Sequence, residues 1–67
     1  MNWQNIYSSE QLHKAEIVKS ILESKGLNPV IINKSDRAYK LGHYEVHVSS
    51  DSVIIAIKII NDDIRFT

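Results

Sequence analysis

The chain has 67 residues, enough for one domain around one small hydrophobic core. Its eight Lys and Arg residues balance its eight Asp and Glu residues, so the sequence lacks the positive excess typical of general nucleic-acid binders and of proteins that bind anionic membranes. The absence of cysteine excludes disulfides and thiolate metal sites.

Residues 1–67 are predicted to form a single domain, because the sequence has no repeat, low-complexity tract or Gly/Ser-rich linker. It has neither a recognisable signal peptide nor an apolar run of membrane-spanning length, so a cytoplasmic protein is expected. Very small domains without disulfides depend on tight packing or on self-association.

The N-terminal residues predict a short strand followed by a helix. Residues 3 to 8 alternate well enough for a strand, with Ile6 as its core residue. Ser8, with Gln11 three positions later, has the spacing of a capping box that satisfies free backbone N–H groups at a helix start. A helix is therefore expected to begin at residue 9.

The same helix is predicted to end at residue 25. Gly26 can adopt the left-handed conformation that follows many helix ends, and it places Leu27 where a Schellman motif would contact Leu22. Helical spacing predicts an apolar stripe that faces the core; it comprises Leu12, Ala15, Val18 and Leu22, widened by Ile17 and Ile21.

Two strands are predicted in the middle of the chain. The run of residues 30 to 32 is β-branched, and Pro29 restricts it to the start of a strand or to a sheet edge. Residues 44 to 48 alternate, which predicts a strand with one covered face: Tyr44, Val46 and Val48 face the core, and Glu45 and His47 face away from it.

Residues 53 to 60 are ambiguous, because their β-branched content favours a strand whereas the preceding Ser50 and Asp51 favour a helix start. As a helix, the segment would turn Val53, Ala56, Ile57 and Ile60 to the core and Ile54, Ile55 and Ile59 elsewhere. Residues 64 to 66 could add a short last strand. The order predicts an α+β fold of the ferredoxin-like, split βαββα(β) type, with a small antiparallel sheet and two helices on one face.

Three segments resemble a small bacterial family of prokaryotic signal-transducing proteins: "WQNIYSSEQLHKAEIVKSILESKGL", "NPVIIN" and "YEVHVSSDSVIIAIKII". The resemblance implies the ferredoxin-like fold of the nitrogen regulatory protein PII and a role in signal transduction, although the family's biochemical activity is largely undefined. It also implies that the connection between the second and third strands meets effectors and partners. Members usually have a charged outer face on the second helix, where this chain has Ile54, Ile55 and Ile59.

The connection singled out by the resemblance covers residues 33 to 43. Lys34, Arg37 and Lys40 could donate to a phosphate or carboxylate, Tyr39 could stack or use its hydroxyl, and Gly42 would permit a turn. The same composition is also that of an ordinary solvated loop. PII nucleotide motifs are not found in the sequence, so no cofactor is expected.

The histidines raise the question of a metal site. His43 and His47 are four residues apart, roughly 13 Å on a strand at about 3.3 Å per residue, too far to share an ion. Glu45 and His47 are neighbours on one face, but two ligands make a weak site, and His13 lies on the predicted helix. No metal is therefore expected, and no nucleophile motif indicates an enzyme.

The predicted function is a noncatalytic, cytoplasmic regulatory or adaptor module that recognises a protein partner or a small anionic ligand through Lys34, Arg37, Tyr39 and Lys40. Self-association as a homo-oligomer, most simply a dimer, is predicted with Ile55 and Ile59 in its interface, because both would otherwise be exposed. Two alternatives stay open. One is a metal-handling or enzyme-accessory domain that uses Glu45 and His47; the other is a nucleic-acid-binding module that stacks bases on Trp3, Tyr7 and Phe66.

Overall fold

The computed structural model describes residues 2–36 and 41–64 of the chain. It is a small α+β structure with a three-stranded antiparallel sheet and two α-helices. In chain order the elements are β1 (Trp3–Ser9), α1 (Leu12–Ser24), β2 (Val30–Asp36), β3 (Leu41–Ser49), a short 3-10 helix (Ser50–Ser52) and α2 (Val53–Asp63).

Of the three described strands, the last in sequence is the central strand of the sheet. The strand order is β1-β3-β2, and β3 pairs antiparallel with both neighbours. Because β1 and β2 are each antiparallel to β3, they run in the same direction, with β3 between them. Val46 of β3 shows the register, since it lies opposite Tyr7 on one side and Ile31 on the other.

Both helices pack on the same face of the sheet. The residues buried there are Ala15, Val18 and Leu22 of α1, Val46 and Val48 of β3, and Ala56 of α2. Tyr44 and Ile6 are half-buried and pack against this core. The predicted inward face of β3, with Tyr44, Val46 and Val48, is thereby confirmed.

The end of α1 is confirmed and its start is corrected. Gly26 has a φ of 91°, its N–H donates to Glu23 O at 3.0 Å, and the Leu27 N–H donates to Leu22 O at 3.1 Å, which is the Schellman pattern. The predicted capping box is wrong, because Ser8 belongs to β1, where it pairs with Glu45. The residue before α1 is Gln11, which makes no side-chain cap hydrogen bond, so the helix begins three residues later than predicted, at Leu12.

The segment after β3 is helical, which settles the ambiguity at residues 53 to 60. Ala56 is buried, and Val53, Ile59 and Ile60 pack against the core. The prediction that Ile57 faces the core is wrong. Each helical residue advances by about 100°, so Ile59 and Ile60, three and four residues after Ala56, share its side, whereas Ile57 turns away.

The connection between β2 and β3 is shorter than predicted. Both strands extend past the apolar residues that defined them, and Lys34, Ser35 and Asp36 pair with His43, Gly42 and Leu41. Gly42 therefore lies in a strand rather than a turn. Polar residues continue the ladder because its hydrogen bonds join backbone groups, whatever the side chain.

Among the described residues, no helix is long and apolar enough to cross a membrane. The possible strand over residues 64 to 66 lies mostly outside the described residues; Ile64, which is described, is half-buried and packs against the core.

Candidate functional site

The candidate site is the face of the sheet turned away from the two helices. Residues directly opposite each other on antiparallel strands share a face, and His47, next to the inward Val46 and Val48, therefore defines the outer side of β3. We call this side the open face. Its members are Trp3, Asn5 and Ser8 of β1, Val30, Ile32 and Lys34 of β2, and His43, Glu45, His47 and Ser49 of β3.

Three ionisable side chains follow one another along β3 on the open face, and we call them the His-Glu-His row. Glu45 lies in the middle, with its Oε2 2.9 Å from His43 Nε2 and its Oε1 2.8 Å from His47 Nε2. The side chains of His47 and Glu45 are only 14% and 17% exposed, whereas that of His43 is 45% exposed. The row is thus partly covered, although no element packs over this face in the described part of the chain.

The row lowers the pKa of the Glu45 carboxyl below its ordinary value of 4.5. The hydrogen bond from His47 is the largest cause, followed by the hydrogen bond from His43. Electrostatic attraction from Lys34 and His43 acts in the same direction, while partial burial acts against it. Glu45 is therefore a carboxylate at neutral pH.

The carboxylate also determines which ring nitrogens carry hydrogen. An ionised carboxylate only accepts hydrogen bonds, so Nε2 of His43 and Nε2 of His47 both donate to it. Nδ1 of His47 is buried and has no hydrogen-bond partner among the described residues. The ring of His47 is thus satisfied on one side only.

The sequence predicts part of the His-Glu-His row. The pairing of Glu45 with His47 is confirmed. The contact of His43 with the same carboxylate is not predicted, because the distance between the two histidines along a strand does not include the side chain that lies between them. A strand sequence with His, Glu and His at every second position places the three side chains on one face, and this spacing is the signal that identifies such a row.

The row provides a carboxylate and two imidazole rings that are joined by hydrogen bonds. Ser8, opposite Glu45, accepts a hydrogen bond from Asn5 Nδ2 at 2.8 Å. Within residues 2–36 and 41–64, no set of three or more His, Asp or Glu side chains is arranged to hold a metal ion.

The predicted ligand-binding residues are only partly described. Lys34 is exposed on β2, opposite His43 on the open face. Arg37, Tyr39 and Lys40 lie outside the described residues.

The stacking platform predicted for nucleic acid is not formed as expected. Trp3 lies on the open face, opposite Ser49, but Tyr7 lies on the core face, opposite Val46. A β-bulge between Asn5 and Tyr7 reverses the alternation along β1. Phe66 lies outside the described residues.

An exposed apolar surface lies on the outer side of α2. Ile54, Ile55 and Ile57 are 84%, 56% and 45% exposed. Of the two residues predicted in a subunit interface, Ile55 belongs to this surface, whereas Ile59 is half-buried and packs against the core. We call Ile54, Ile55 and Ile57 the α2 surface.

Comparison with known proteins adds no relative: no family model, no curated protein and no solved structure matches the chain. The resemblance to prokaryotic signal-transducing proteins therefore stays a prediction from the sequence.

Proposed function

We propose that this protein is a noncatalytic, cytoplasmic regulatory or adaptor module that recognises a carboxylate or phosphate group on a small ligand or on a protein partner. The proposed site is the end of the open face that carries Lys34 and His43, where β2 leads into the connection with β3. The observation that carries the proposal is the position of Lys34, opposite His43 and beside a carboxylate already bonded to two histidines.

The charges at this end of the sheet favour an anion. Lys34 is exposed and forms no ion pair within the described residues. Both oxygens of Glu45 accept hydrogen bonds from histidines, which reduces the repulsion that this carboxylate would exert on an incoming anion. The sequence adds Arg37 and Lys40 within six residues of Lys34. Basic side chains are therefore concentrated in this part of the sequence, and such side chains bind carboxylates and phosphates.

The strand order supports a ferredoxin-like fold at the level of topology. In a ferredoxin-like fold, a strand from the second half of the chain lies between two parallel strands that a helix connects. The order β1-β3-β2, with α1 between β1 and β2, has this arrangement for three strands. We therefore propose a ferredoxin-like fold related to that of PII, which favours a regulatory role over an enzymatic one, although fold alone does not fix function.

Self-association is the second part of the proposal. The α2 surface exposes three isoleucines to water, with Ile54 between Ile57 on one side and Ile55 on the other. Burial of a fully exposed isoleucine contributes about 1.5–3 kcal/mol. A second copy of the chain presents the same surface, so a symmetric dimer could bury both at once. Ile59 has less surface to offer than Ile55, and Ile54 and Ile57 extend the predicted interface.

Titration of the 15N-labelled protein with inorganic phosphate and with a glutamate-rich peptide tests the anion site. We expect saturable amide shifts in β2 and β3 near Lys34, and Lys34→Ala should weaken binding about three- to tenfold. Lys58→Ala, which removes an exposed charge from α2, is the matched control and should bind like the wild type. Equal binding by Lys34→Ala and wild type would contradict the proposed site. A response to only one of the two probes would show whether the site prefers a phosphate or a peptide carboxylate.

A further inference from the structure

A cleft lies at the end of the sheet opposite to Lys34. It forms where β1 begins, β3 ends and the chain turns from α1 into β2, and its volume is about 310 Å³. That volume is at the lower end of the range for small-molecule sites. A single or fused ring of about ten non-hydrogen atoms fits it.

The lining of the cleft combines aromatic, aliphatic and polar residues. Trp3, the only tryptophan in the chain, lines the cleft where β1 begins and is 47% exposed. Val48 is fully buried, Leu27 packs against the core, and both also line the cleft. An exposed indole beside apolar side chains favours a flat ligand that can stack.

Polar groups make up the rest of the lining. Ser49 Oγ donates to Ser52 Oγ over a long 3.5 Å, a weak bond that a ligand can replace at little cost. The side-chain amide of Asn28 is exposed and makes no hydrogen bond within the described residues. At Gly26, an added Cβ would meet no atom within 4 Å, so the backbone of the turn borders open space.

The cleft carries no charge of its own. Each of its lining residues is described, and none is ionisable; they are Trp3, Gly26, Leu27, Asn28, Val48, Ser49 and Ser52. A charged ligand would lose hydration there without gaining an opposite charge. An uncharged ligand with hydrogen-bonding groups on its edge matches this surface better.

We propose that this cleft binds an uncharged, planar heteroaromatic ring, which stacks on Trp3 and exchanges hydrogen bonds with Asn28 and Ser52. The site is separate from the anion site of the proposed function and does not depend on it.

Nicotinamide is a suitable probe, because two close analogues test the two properties that the cleft requires. Nicotinate has the same ring with a negative charge, and cyclohexanecarboxamide has the same amide without the planar ring. Each is titrated into the 15N-labelled protein while the indole N–H of Trp3 and the backbone amides of Gly26, Asn28 and Ser52 are followed. We expect saturable shifts with nicotinamide and a Kd of about 1 mM, as for small ring ligands. Nicotinate and cyclohexanecarboxamide should bind at least about threefold more weakly.

Three variants locate the binding. Trp3→Leu should abolish saturable shifts, and Ser52→Ala should weaken binding about threefold to fivefold, the effect of one lost hydrogen bond. Val30→Ala, at an exposed open-face position outside the cleft, should bind like the wild type. If Trp3→Leu does not fold, Ser52→Ala tests the proposal alone. This variant should fold, because the Ser52 hydroxyl makes no capping hydrogen bond to α2. The proposal is overturned if nicotinamide gives no saturable shift, if cyclohexanecarboxamide binds equally well, or if Ser52→Ala binds unchanged.

Discussion

Trp3 and Tyr7 face opposite sides of the sheet, although both belong to β1 and are four positions apart. On a regular strand such residues share a face. The bulge between Asn5 and Tyr7 adds one residue to β1 and reverses the alternation, so Tyr7 joins the core while Trp3 stays outside. The side chain of Asn5 holds this geometry, because its Oδ1 accepts from the Tyr7 N–H at 3.1 Å and its Nδ2 donates to Ser8 Oγ at 2.8 Å.

Asn5→Ala should therefore destabilise the protein by about 1 kcal/mol or slightly more, since it removes two local hydrogen bonds in an exposed position. Urea denaturation measures the change in the free energy of unfolding. Gln4→Ala is the control, because Gln4 is an exposed neighbour on the same strand and makes no such bond in the described structure. If both variants unfold at the same urea concentration, the Asn5 side chain does not support the bulge.

The two glycines should respond in opposite ways to substitution by alanine. Gly26→Ala places a side chain at a φ of 91°, which costs about 1–2 kcal/mol although space is available. Gly42→Ala lies in β3, where the new Cβ would come no closer than 3.5 Å to Lys34 O, an ordinary contact. It should be neutral or stabilising by up to about 1 kcal/mol, because glycine weakens a strand interior. Thermal denaturation of the pair checks this, and an equal loss of Tm in both would contradict it.

Glu45→Gln should reduce stability at neutral pH and have a smaller effect in acid. The folded protein lowers the pKa of Glu45 below 4.5, so this carboxylate adds stability above pH 4.5 that is lost as the pH falls through its folded pKa. In urea denaturation, the difference between wild type and variant should therefore be largest at pH 7 and should shrink as the pH falls below 4.5.

Histidine variants test whether the pH dependence arises from the His-Glu-His row or from protonation elsewhere in the protein. His47→Ala removes the largest cause of the lowered pKa, so Glu45→Gln should matter less in that background. His13→Ala, at an exposed position on α1, should leave the effect of Glu45→Gln unchanged. A pH-independent difference between Glu45→Gln and wild type would show that the row does not act through the charge of Glu45.

The α2 surface predicts self-association, and lysine substitutions on this surface should prevent it. Light scattering of the wild type should give about twice the 7.7 kDa mass of one chain, and Ile54→Lys with Ile55→Lys should give one chain mass at equal concentration. Ile59 is left intact, because it packs against the core and its replacement would also disturb folding. Ser20→Lys on the exposed side of α1 is the charge control. A monomeric wild type, or a double variant of unchanged mass, would exclude this interface.

Features set by nearby residues could be predicted from the sequence. The end of α1 depends on Gly26 and two backbone bonds within one turn, and the inward face of β3 follows from simple alternation. The start of α1 could not be predicted, because Ser8 has both the chemistry of a cap and a place in the sheet, and its partner Glu45 is distant in sequence. Tertiary pairing overrode the local signal.

The candidate site shows the same division. Glu45 and His47 were recognised as neighbours because strand geometry alone places them together. The cleft could not be predicted, because it joins the start of β1, the turn after α1 and the end of β3. No sequence pattern brings those three segments together before the strand order is known.

The central position of β3 also has a consequence for how the chain folds. β1 and β2 do not pair with each other, so the first 36 residues contain two strands and a helix but no sheet. The β2–β3 pairing is local and can form first, whereas β1 must close a long loop to reach β3, at a higher cost in entropy. On the ribosome, the N-terminal half must therefore wait for residues 41 to 49 before any of its strands has a partner.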